Sequence, residues 1–111
     1  MSTSEVFKQF YHKLVVTLPM KDVTFTAQLV SHDLLPGDLN DQVKSLATAS
    51  DKAAHFLDHV IKPAVTIGVD RSFNELLNVM EDSEYCNVKE LAQQIRSKLK
   101  EGPVNTDNTA G

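Results

Sequence analysis

The sequence predicts an all-α domain of six short helices, and three observations carry that prediction. Apolar residues recur at three- and four-residue spacing from end to end. No stretch sustains the strict apolar–polar alternation of a half-buried strand. Pro19, Pro36-Gly37, Pro63, Gly68 and Gly102-Pro103 punctuate the chain. At 111 residues the chain is the length of one domain, with no room for a second core.

Each element has its own signals. Phe7, Phe10, Leu14 and Leu18 share one face of the first helix; Ser2 and Glu5 have capping-box spacing at its start, and Pro19 stops it. Asp22 is a good N-cap for a second helix carrying Phe25, Leu29 and Val30, which ends before Leu34-Leu35-Pro36-Gly37. Asp38 opens a short third helix with Leu39, Val43 and Leu46 inward. Thr48 or Ser50 caps the fourth, which carries Ala53, Ala54, Leu57, Val60, Ile61 and Ala64; Pro63 is expected to kink or end its last turn. Gly68 and Asp70 mark the next turn. Ser72 and Glu75 repeat the capping-box spacing before Phe73, Leu76, Leu77 and Met80. After the acidic turn Glu81-Asp82-Ser83-Glu84, Asn87 and Glu90 are expected to cap a sixth helix with Val88, Leu91, Ile95 and Leu99. Arg96, Lys98 and Lys100 favour its C-terminal end. The folded domain is expected over residues 1–101. Residues 102–111, rich in Asn and Thr, read as a flexible linker or tail, as expected of one piece of a longer protein.

Composition excludes several classes of function. With 41% hydrophobic and 23% charged residues, the bulk of the chain is neither disordered nor of low complexity. One cysteine, Cys86, allows neither an intramolecular disulfide nor a cysteine-rich zinc cluster. A formal charge of −4 argues against general nucleic-acid binding, which needs surplus Lys and Arg. No apolar run approaches a membrane span, and MSTSEVFKQFYHK lacks the pattern of a signal peptide. The default expectation is a soluble, cytoplasmic setting with no membrane partner.

The order of landmarks narrows the fold. Phe10 to Leu18, a short break, Phe25-x3-Leu29 and Leu34-Leu35-Pro36-Gly37-Asp38-Leu39 resemble a caspase-recruitment domain (CARD) of the death-fold superfamily. Asp51-Lys52-Ala53-x2-Phe56-Leu57-x2-Val60 is similar to that family's "K/R-A-x2-(L/F)-L" stretch at the start of the fourth helix. Phe73-x2-Leu76-Leu77, a polar turn and Val88-x2-Leu91-Ala92 resemble its close. The resemblance spans residues 5–99 and rests on core positions. The core tryptophan of death domains and the Arg-x-Asp-Leu motif of death-effector domains are absent, and Asp38 to Leu46 reads as a better third helix than pyrin domains have. The resemblance implies a six-helix antiparallel bundle of Greek-key type.

The most notable surface is on the fourth helix. Lys52, His55, His59 and Lys62, at spacings of three, four and three, are expected on one cationic face. Lys8, His12 and Lys13 add positive potential from the first helix. Asp33, Asp38 and Asp41 gather at the end of the second helix and on the third. Similar domains dock a basic surface of their first and fourth helices onto an acidic surface of a partner's second and third. Without that resemblance, the ordinary reading is solvated charge, with Asp51–His55 and Asp58–Lys62 as local i,i+4 pairs.

His55-x3-His59 has zinc-ligand spacing, but Phe56 stands where a metalloprotease needs Glu and no third ligand is identifiable. Cys86 reads as a small, partly buried residue before the last helix, because Glu81, Asp82 and Glu84 oppose a thiolate. The four glycines are isolated, so no phosphate loop exists. No cofactor, metal or small-molecule substrate is expected. The resemblance implies a non-catalytic interaction module, self-associating or pairing with a different CARD, in innate-immune or cell-death signalling. The acidic turn Glu81 to Glu84 is a secondary candidate contact. The alternative, a helical nucleic-acid-binding or other regulatory bundle, rests on the cationic stripe. A metal-dependent enzyme built on His55 and His59 comes last.

Overall fold

A computed structural model describes residues 3–101, with the side chain of Glu101 excepted; Ser2 of the first capping box and the 102–111 tail lie outside the described residues. The described chain is all-helical. Its helices are α1 (Thr3–Thr17), α2 (Val23–Ser31), α3 (Gly37–Lys44), a long α4, α5 (Arg71–Glu81) and α6 (Cys86–Glu101). Helix α4 is continuous through three parts: an α segment Ala49–Phe56, a π turn Leu57–Ile61 and an α segment Lys62–Thr66.

The six-helix bundle forms because each helix buries the stripe its spacing defines. Phe7, Phe10 and Leu14 are buried on one side of α1, with Val6 beside them, and Leu18 is buried just past its end. Phe73, Leu76, Leu77, Val79 and Met80 are fully buried from α5, and Val88, Leu91, Ala92 and Ile95 close the core from α6. Besides the sequential pairs α3–α4 and α5–α6, α1 lies against α4 and α6, and α2 against α5. Phe7 meets the ring edge of Phe73 with centroids 5.7 Å apart, joining the first helix to the fifth. Such a pair adds about 0.5–1.5 kcal/mol beyond the area it buries. Val30, expected inward, is instead 41% exposed at the end of α2.

Pro63 neither ends nor interrupts α4. A proline lacks an N–H and crowds the carbonyl four residues back. The π turn relieves this just upstream: the Lys62 N–H bonds the Leu57 carbonyl, five residues earlier, and Pro63 falls in the first turn of the next α segment. The helix therefore continues to Thr66.

The caps sort into those that local sequence specifies and those it does not. Asp22 Oδ1 accepts from the N–H groups of Thr24 and Phe25, and Thr48, rather than Ser50, accepts from the Asp51 N–H. The other two sites correct the sequence reading. Helix α5 starts at Arg71, so Ser72 lies within its first turn, and Asp70 before it makes no side-chain cap. Asp70 accepts from the Thr3 hydroxyl at 3.0 Å instead, and Glu75 pairs with His32 across to α2 at 2.8 Å. Helix α6 starts at Cys86, which places Asn87 inside it; Ser83 Oγ accepts the Tyr85 N–H in the turn before. Cys86 is exposed, not partly buried.

Two helices end in the same hydrogen-bond pattern. After α2, the Asp33 N–H bonds the Val30 carbonyl and the Leu34 N–H bonds that of Leu29. After α4, the Gly68 N–H bonds Val65 and the Val69 N–H bonds Ala64. Both are Schellman motifs, with the left-handed position taken by Asp33 (φ 59°) in one and Gly68 (φ 85°) in the other.

Candidate functional site

The π turn decides how the charged residues of α4 are displayed. In an unbroken α-helix, ten residues at about 100° each put Lys62 roughly 80° from Lys52. One extra residue in the turn moves that separation to about 180°. The contacts agree. Lys52 reaches α3, where its ammonium donates to the carbonyls of Val43 (2.9 Å) and Lys44 (3.2 Å). Lys62 instead lines a groove against α1, with Phe7, Lys8, Tyr11 and Asp58. The single cationic face expected from spacing is therefore split in two.

Lys52 caps the C-terminal end of α3, where orphan carbonyls and the negative end of the helix dipole favour a cation. His55 follows on the same side, with Nε2 2.9 Å from Gln42 Oε1 of α3. His59 Nδ1 donates to the His55 carbonyl at 2.9 Å, and the two rings lie 4.1 Å apart, tilted by 32°. One nitrogen of each ring is thus engaged with protein. Among the described residues no group of three or more His, Cys, Asp or Glu is placed to hold a metal ion.

On α1 the cations diverge as well. Lys8 is exposed on the groove toward α4, its neighbour Lys62 being exposed too. Between them the Tyr11 hydroxyl donates to Asp58 Oδ1 at 2.9 Å. Burial first, then the bond to Asp58 and that residue's charge, pushes the Tyr11 phenol up to about 12. Lys13 turns to the other side, its ammonium 5.4 Å from the centre of the Phe10 ring, in a groove against α6 that also holds Glu90 and Lys98. His12 is exposed.

Asp33, Asp38 and Asp41 are all exposed at the α2–α3 corner. Asp38 sits in the first turn of α3, where the dipole favours an anion. Asp41 is mid-helix. Glu81, the last residue of α5, pairs with Arg96 at 3.0 Å, while Asp82 and Glu84 in the turn before α6 are exposed. The Tyr85 hydroxyl donates to Asp22 Oδ2, tying that turn to the start of α2. This bond, with that from Thr24, holds the Asp22 carboxyl below the usual range, and the same bond and the Asp22 charge raise the Tyr85 phenol.

Sequence reasoning passed over Lys21 and Lys44. They lie 23 positions apart on the two sides of a groove shared with Lys52. The only signal in the sequence is that each borders a turn.

No family model matches the chain, and neither a curated protein nor a solved structure matches it. The fold defines its class, a six-helix all-α bundle, and no helix among the described residues is long and apolar enough to cross a membrane.

Proposed function

We propose that the chain is a non-catalytic protein-interaction module of CARD type, with the Greek-key helix order of the death fold, that assembles with copies of itself or with another CARD in cell-death or innate-immune signalling. The observation that supports this most is the placement of exposed charge. Lys8 and Lys62 flank one groove between α1 and α4, while Asp33, Asp38 and Asp41 crowd the α2–α3 corner. Two different, complementary patches on one chain make a head-to-tail contact, which propagates rather than closing a dimer. Assembly would act by raising the local concentration of whatever is tethered to the domain. The packing of α1 on α4 and α6, and of α2 on α5, is compatible with the same reading.

The test is light scattering with negative-stain microscopy on the whole chain at low and high salt. Large assemblies that dissolve as salt rises are expected, since exposed charges are screened beyond about 8–10 Å near physiological ionic strength. Lys62→Glu should leave a folded monomer, and mixing it with Asp41→Lys should restore assembly. Lys52→Glu is a poor probe, because it also removes two bonds to the end of α3. If reversals on both patches leave assembly intact, the patches are not the interface.

A further inference from the structure

A second basic surface lies away from the α1–α4 groove. The chain between α1 and α2, together with α3 and the start of α4, encloses a groove of about 550 Å³. Met20 and Val43 form a buried apolar floor, Leu46 is half-buried, and Val23 stands 79% exposed at its edge. Lys21, Lys44 and Lys52 surround it, and no carboxylate lines it. That is unusual for this molecule, whose acidic residues outnumber its Lys and Arg by 15 to 11. The α1–α4 groove contains Asp58, and the α1–α6 groove contains Glu90.

The opposite composition occurs on an adjoining surface, whose Asp22 and Thr24 alternate along the chain with Lys21 and Val23 of the groove. Where the α5–α6 turn meets α2, the surface carries Asp22, Asp82 and Glu84 and no Lys, Arg or His. Asp82 and Glu84 are exposed, and the Tyr85 ring beside them is 41% exposed. An apolar floor ringed by ammonium groups suits a turn bearing two carboxylates and one aromatic ring. Lys21 and Lys44, the two lysines of the groove not committed to the end of α3, oppose the two carboxylates in sign, and the exposed Tyr85 and Val23 each gain an apolar neighbour on docking. We infer that the groove of Lys21, Lys44 and Lys52 receives the acidic α5–α6 turn, Asp82 and Glu84, of a second copy of this chain. The contact pairs two different surfaces of the chain, neither of them the α1–α4 groove. It rests on the reading that the chain self-associates.

Charge-swap assembly of the whole chain tests it, with light scattering as the readout and circular dichroism to check the fold. Lys21 and Lys44 are the residues to reverse, because Lys52 also holds the end of α3. The double variant Lys21→Glu/Lys44→Glu and the double variant Asp82→Lys/Glu84→Lys should each raise the concentration needed for assembly about tenfold or more. Mixed in equal amounts they should assemble near the wild-type concentration, since reversed groove meets reversed turn and native groove meets native turn. Loss of assembly in both without rescue on mixing overturns the pairing. Assembly that resists both reversals but fails with Lys62→Glu overturns this contact while leaving the proposed function standing. A wild-type chain that stays monomeric at every concentration and salt overturns the second copy as occupant.

Discussion

The ends of α2 and α4 solve one problem with different residues. Each closes on a Schellman motif, and each needs a residue at positive φ. After α4 that residue is Gly68, which has no Cβ to strain. After α2 it is Asp33, whose Cβ meets the backbone in the left-handed region. The apolar residues that accompany the motif differ in the reverse sense. At α2 the flanking pair is Leu29 and Leu34, 0% and 2% exposed. At α4 it is Ala64, half-buried, and Val69, 46% exposed. Where a buried leucine fixes the turn, the backbone accepts a strained residue. Where the flanking valine faces water, the turn depends on glycine.

The largest test of this contrast is truncation of the flanking apolar residue. Leu34→Ala should cost about 2–5 kcal/mol, the range for emptying a buried leucine site. Val69→Ala should stay within about 0.5 kcal/mol, as exposed substitutions do. Denaturant melts measure both, and similar costs would break the comparison. Next come the left-handed residues themselves. Gly68→Ala should destabilise by about 1 kcal/mol, whereas Asp33→Gly should stabilise by a few tenths to about 1 kcal/mol, strain relief being partly offset by glycine's entropy. Opposite signs in thermal melts sharpen the contrast; equal signs defeat it.

The smallest effect concerns the other ends of the same two helices. The start of α2 is held by a carboxylate, Asp22, and the start of α4 by a hydroxyl, Thr48. The bonds from Tyr85 and Thr24 lower the folded pKa of Asp22. Its contribution is therefore complete above the unfolded carboxylate range, near pH 4, and is lost as pH falls through the folded value. The gap in melting temperature between wild type and Asp22→Asn should shrink between pH 6 and about pH 3. The gap for Thr48→Ala should hold constant over the same range, because the hydroxyl does not titrate.

Those caps also show what local sequence can and cannot specify. Asp22, Thr48 and the apolar stripes act within a turn or two of themselves, so their spacing reveals them. Ser72-x2-Glu75 has the right spacing for a capping box, yet Glu75 is taken by His32, 43 residues earlier. The cationic face of α4 was misjudged for a related reason: i+3 and i+4 counting assumes about 100° per residue throughout, and the π turn before Pro63 breaks that assumption. Lys52 is drawn to carbonyls at the end of α3, a partner that appears only when α3 and α4 pack. Exposure of Asp33, Asp38 and Asp41 was legible; the left-handed backbone at Asp33, usually a glycine's place, was not.

The two tyrosines have an optical consequence. With no tryptophan in the chain, near-ultraviolet absorption comes chiefly from Tyr11 and Tyr85. Each phenol donates to a carboxylate on another helix, Tyr11 at the α1–α4 joint and Tyr85 at the joint between the α5–α6 turn and α2. Unfolded phenols ionise near pH 10, whereas both are raised in the fold and Tyr11 reaches about 12. Phenolate absorbance should therefore rise when the fold opens at alkaline pH, without any label.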